Sequence, residues 1–83
     1  MKYFELFDLP VQFDVDTQLL VERFRAIQSK VHPDKFANSS DQQKLLAVQQ
    51  ASEINDAYET LKRPLSRAEY MIGQHGHDVR HEQ

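Results

Sequence analysis

Apolar side chains recur along this chain at helical spacing, and polar stretches and prolines cut the pattern into four segments. From Tyr3 to Leu9, aromatic and aliphatic residues alternate with Glu5 and Asp8 and stop at Pro10, which suits one short helix of about two turns with Phe4, Phe7 and Leu9 plugging the core. A second helix starts at Asp16, whose carboxylate can accept from the free amides of a first turn. Leu20, Phe24, Ile27 and Val31 follow at spacings of four, three and four, a single buried stripe. Pro33 ends that helix, because the residue before a proline is pushed out of the α region.

Residues His32 to Ser40 form a polar connector. Ser39 or Ser40, each followed three positions later by Gln42 or Gln43, offers a capping box for a third and longest helix. Along it Ala47, Ala51, Ile54, Tyr58 and Leu61 alternate spacings of four and three, a seam whose alanines allow close approach by the second helix. The two predict an antiparallel hairpin with the connector exposed at its tip. Pro64 suits the first turn of a short fourth helix, with Leu65, Ala68 and Ile72 as its inward side. Gly73 and Gly76 are expected to release the chain into a polar tail, His77 to Gln83. Packing the hairpin uses up the apolar stripes, so a monomer is expected.

Composition narrows the class without changing the picture. Eighty-three residues make one domain. Two glycines and three prolines argue against a turn-rich β fold, so the expected class is all-α. There is no cysteine, which removes disulfides and thiolate ligation of zinc or an iron–sulfur cluster, and no cofactor is called for. With 13 acidic against 10 basic side chains the net charge is −3, the wrong sign for a domain that grips nucleic acid through phosphates. No apolar run approaches the roughly 18 residues of a membrane span, and Glu5 falls where a secretory leader would build its apolar segment. A soluble, cytoplasmic domain is the expectation.

Unusual chemistry on an exposed element occurs once, at His32-Pro33-Asp34, between Lys30 and Lys35. Taken alone, the tripeptide would make a good helix stop and turn. As a catalytic dyad it fails, since Pro33 holds His32 and Asp34 in one tight turn and no nucleophile lies nearby. His75, His77 and His81 could chelate a metal adventitiously, but they belong to a polar tail and not to a rigid tetrahedral set. The connector is also too long for the turn of about three or four residues in a helix-turn-helix.

Placement gives the tripeptide its meaning. Phe24-Arg25-Ala26-Ile27 followed by Lys30-Val31-His32-Pro33-Asp34-Lys35, with Ile54-Asn55-Asp56-Ala57-Tyr58-Glu59-Thr60-Leu61 downstream, resembles the J-domain signature. The resemblance covers about residues 3 to 76, so residues 1–76 are expected to be the domain. Within that family Tyr3-Phe4-Glu5-Leu6-Phe7, His32-Pro33-Asp34-Lys35-Phe36 and Pro64-Leu65-Ser66-Arg67-Ala68-Glu69-Tyr70 resemble the HscB-type J-proteins of iron–sulfur cluster assembly. The resemblance implies two long antiparallel helices flanked by short ones, and an exposed loop that docks on a DnaK-type chaperone, here HscA-like, and stimulates its ATPase. A general J-domain partnered with DnaK is the alternative. It further implies a docking set of His32, Pro33, Asp34 and Lys35 with Arg23, Arg25 and Lys30. Val21 and Ala26 stand where J-domains are often basic, and Glu22 is acidic, which thins the patch. HscB-type proteins hold their scaffold protein through a C-terminal domain, so residues 77–83 are expected to begin a linker to such a domain, a stand-alone J-domain being the alternative.

Overall fold

The computed structural model describes residues 1–75. Four α-helices and one 3-10 turn occur among them, with no strand: α1 (Lys2–Leu6), α2 (Thr17–Val31), the 3-10 turn (Pro33–Phe36), α3 (Asp41–Lys62) and α4 (Pro64–His75). The all-α class is as expected. The expected tail, His77 to Gln83, lies outside the described residues.

Local chemistry sets most boundaries. At the start of α2, Asp16 Oδ1 accepts from the amides of Gln18 and Leu19, both at 3.1 Å. At the start of α3 the capping box is the Ser40–Gln43 pair: Gln43 N–H donates to Ser40 Oγ at 3.2 Å and Ser40 N–H to Gln43 Oε1 at 3.4 Å. Helix α1 is shorter than the apolar pattern suggests. Asp8 takes a left-handed conformation (φ 52°), which an aspartate tolerates better than most residues. The Leu9 amide then donates back to Phe4 O at 2.9 Å and the Asp8 amide to Glu5 O at 3.0 Å, a Schellman ending that folds Leu9 inward onto Phe4. The three expected core plugs, Phe4, Phe7 and Leu9, are all buried.

Helices α2 and α3 form the antiparallel hairpin. Phe24 stacks on Tyr58 with ring centroids 4.1 Å apart, and Phe7 meets Phe24 edge-on at 6.5 Å. Leu20, Ile54, Ala57 and Leu61 are buried around this stack, with Val15 closing it from the α1–α2 connection. Ala57, absent from the predicted seam, is fully buried in the same cluster, where its small side chain suits close helix packing. Helix α1 rests on α3, pinned at its outer edge by Lys2 Nζ to Glu53 Oε1 at 3.2 Å.

Helix α4 is rotated relative to expectation. Leu65 is 74% and Ile72 70% exposed, whereas Arg67 is only 5% exposed and Tyr70 and Met71 pack on the core. The 67/70/71 face lies nearly opposite the 65/68/72 face at 100° per residue. Hydrogen bonding decides the rotation: Arg67 Nε donates to Leu61 O at 2.8 Å, its Nη1 to Phe13 O at 2.6 Å, and its guanidinium lies 5.2 Å over the Phe13 ring. Tyr70 adds a stack on Tyr3 at 4.6 Å, and its hydroxyl accepts from the Tyr3 amide at 3.0 Å. Burial first, then the nearby Asp56 carboxylate, push the Tyr3 phenol above its ordinary value. Gly73 does not release the chain, since α4 continues to His75. Leu45, Leu46 and Val48 on α3 are exposed along with Leu65 and Ile72, so apolar surface remains after the hairpin packs, where none was expected.

Arg67 therefore joins α4, the end of α3 and the α1–α2 connection. Hydrogen bonds from a charged donor contribute about 1.5–3 kcal/mol each. Arg67→Ala should lower stability by about 3 kcal/mol in urea unfolding, with α2 and α3 helicity kept at zero denaturant. An unchanged midpoint would show that the guanidinium is incidental.

Candidate functional site

The tip of the hairpin is shaped by three consecutive residues. Val31 closes α2, and His32 turns extended (φ −59°, ψ 131°), as a residue before proline must. Pro33 opens the 3-10 turn with its φ already set. His32 then supports the turn twice: its carbonyl accepts from Lys35 N–H at 3.0 Å and its Nδ1 from Asp34 N–H at 3.2 Å. Ser39 N–H donates to Phe36 O at 2.9 Å, carrying the chain on toward the Ser40 cap. The turn also packs against α3.

This geometry presents the Asp34 carboxylate to solvent. Its side chain is 92% exposed, with His32 Nδ1 3.7 Å from Oδ2. Two shallow clefts flank the pair. One is lined by Arg25, Gln28 and Ser29 of α2 with His32, Asp34 and Lys35. The other runs across to α3, where Val48, Ala51, Ser52, Asn55 and Asp56 face Gln28 and the tripeptide. The walls differ in charge, with Arg25 and Lys35 on one side and Asp56 on the other.

The expected docking residues divide into three groups. His32, Pro33, Asp34, Lys35 and Arg25 come together at the first cleft and the tip. Lys30 is exposed in the last turn of α2 but lines neither cleft. Arg23 points elsewhere: its Nη1 donates to Phe7 O at 2.9 Å and to Asp8 O, with the Asp8 carboxylate 3.7 Å away. Eight residues of helix separate it from His32, roughly 13 Å along the axis, so Arg23 clamps the end of α1. Sequence reasoning missed Gln28 and Ser29, although the spacing 25, 28/29, 32 marks one helical face. Asn55 and Asp56 carried no comparable signal, because only the folded hairpin brings them to the loop.

No group of three or more His, Cys, Asp or Glu side chains is arranged to hold a metal ion among the described residues. Nor is any described helix long and apolar enough to cross a membrane.

Comparison with known proteins places this geometry in a family. The family model described as the DnaJ domain matches residues 2–70. The co-chaperone protein HscB homolog of Vibrio atlanticus is 58% identical over all 83 residues, which make up 48% of that relative. The homolog of the same name from Shewanella denitrificans is 57% identical over 82 residues, 47% of its length. Among solved structures, chaperone HscB from Vibrio cholerae superposes with a TM-score of 0.89 at 58% identity, over 92% of this chain and 47% of that one. Human co-chaperone protein HscB superposes with a TM-score of 0.88 at 41% identity, over 92% and 39%. The chain thus spans about half the length of the curated relatives it matches. With an all-helical hairpin, a tip built from His32-Pro33-Asp34 and a family model that runs from α1 into α4, the chain belongs to the DnaJ domain family and resembles the J-domain of the HscB-type co-chaperones.

Proposed function

We propose that this chain stimulates ATP hydrolysis by a DnaK-type chaperone, docking through the hairpin tip, and that the partner is the HscA-like chaperone of iron–sulfur cluster assembly. The observation that carries the reading is the exposed Asp34 carboxylate, held on a preformed turn between a basic and an acidic cleft wall. The HscB names of the relatives support the choice of branch. A fixed turn loses little entropy on docking, so more of the contact energy appears as affinity. Asp34 offers a charge-assisted acceptor to a cationic donor on the partner. Arg25, Lys30 and Lys35 supply long-range attraction to an acidic surface, which acts mainly on the association rate.

The effect on the partner is allosteric. The module favours the hydrolysis-competent conformation by binding it more tightly than the resting one, and no group of this chain enters the nucleotide site. The chain is therefore not itself an enzyme. It works in the cytoplasm, and a scaffold protein would be recruited through the part of the relatives that this sequence does not cover.

Single-turnover ATP hydrolysis by HscA, with and without this chain, tests the proposal. Asp34→Asn keeps the shape of the side chain and removes its charge. It should weaken stimulation by about tenfold or more, in line with the 1.5–3 kcal/mol of a hydrogen bond to a charged group. An undiminished response would refute the docking role. Equal stimulation of DnaK would keep the mechanism and remove the iron–sulfur branch. Steering is tested separately: Arg25→Glu should slow association several-fold at low salt and flatten its salt dependence in stopped-flow measurements. An unaltered salt slope would place Arg25 outside the encounter surface.

A further inference from the structure

The Asp34 carboxylate is useful only if the turn beneath it holds its shape, and one amide in that turn has an unusual partner. A 3-10 turn leaves its first amides unpaired. Pro33 has none to offer, and the Lys35 amide is taken by His32 O at 3.0 Å. Asp34 N–H is left, and its acceptor is His32 Nδ1 at 3.2 Å. The His32 ring therefore stands where an Asn or Ser normally caps a turn.

We infer that His32 is a positioning residue that acts as the cap of the Pro33–Phe36 turn through Nδ1, so that the ring works as the neutral tautomer protonated at Nε2. A neutral imidazole has one donor and one acceptor nitrogen, and an Nδ1 that accepts from Asp34 N–H carries no proton. The rival arrangement is a protonated ring paired with the Asp34 carboxylate. At 3.7 Å that contact exceeds hydrogen-bond length, and both side chains are at least half exposed, where such a pair contributes little. The cap also accounts for why histidine and proline occur together here. The extended backbone that Pro33 imposes on its predecessor is the conformation from which a side chain reaches the amide two residues on.

Measured from Cβ, the Oδ1 of asparagine occupies the place of histidine Nδ1, whereas the terminal atoms of glutamine lie one bond further out, near Nε2. His32→Asn should therefore keep the cap and His32→Gln should lose it, although glutamine is the closer match in length.

Two measurements on the full chain test this. The first needs no partner: two-bond nitrogen–proton correlation spectra of the labelled imidazole at slightly alkaline pH. They should show His32 protonated at Nε2 and bare at Nδ1. Asp34 amide exchange should stay slow in His32→Asn and quicken about tenfold in His32→Gln. A ring protonated at Nδ1, or equal exchange in both variants, would overturn the cap. The second rests on the docking role proposed above: stimulation of HscA should stay within about threefold in His32→Asn and fall about tenfold in His32→Gln. Equal loss in both, with the Asp34 amide still protected in His32→Asn, would assign Nε2 to the partner, overturning this inference while leaving the docking reading intact. Failure of the unsubstituted chain to stimulate would sink the docking reading alone, and the spectra would still decide the cap.

Discussion

The stack of Phe24 on Tyr58 is the contact on which the rest of the molecule depends. It joins α2 to α3 at 4.1 Å between ring centres, with Phe7 edge-on to Phe24 and Ala57 fully buried in the same core. A larger residue than alanine at position 57 would push the two backbones apart, and the rings would lose contact first. The buried cluster lies toward the base of the hairpin, where α1, Val15 and α4 also converge. At the tip the stabilising contacts are fewer, and shape is set by hydrogen bonds and by proline.

That division of labour suits a docking element. The base contributes the apolar burial that keeps so short a chain folded. The tip is free to display polar groups, because nothing there has to be hidden from water to hold the fold together. Asp34 can remain almost wholly exposed while its backbone is fixed by His32 on one side and by the turn's packing on α3 on the other. Arg23 and Arg25 show the same division within a single helical turn. Arg23 is drawn back to the carbonyls that end α1, while Arg25 lines the cleft beside the loop.

Much of the fold was legible because local rules govern it. The Asp16 cap, the Ser40–Gln43 box, the stop at Pro33 and the seam of Ala47, Ile54 and Leu61 are all decided within a few residues of chain. What could not be read depends on distant groups. The rotation of α4 follows from Arg67 reaching Phe13 O, 54 residues away in sequence, against the apolar signal of Leu65 and Ile72. The early end of α1 follows from the left-handed Asp8, where no glycine announces the turn. In the site, the tripeptide was visible as a motif, and Arg25 came in only through the J-domain resemblance. The attachment of Arg23 and the far wall at Asn55 and Asp56 emerge only when the hairpin closes.

The central claim is that the tip, and not the base or the exposed side of α4, meets the partner. Amide resonance mapping on the labelled chain, titrated with the ATP-bound chaperone, tests it most directly. Broadening should concentrate from Arg25 to Lys35 and extend to the facing residues Val48 to Asp56, with Leu65 to Ile72 unaffected. A footprint centred on α4 or α1, with His32 to Lys35 undisturbed, would contradict it.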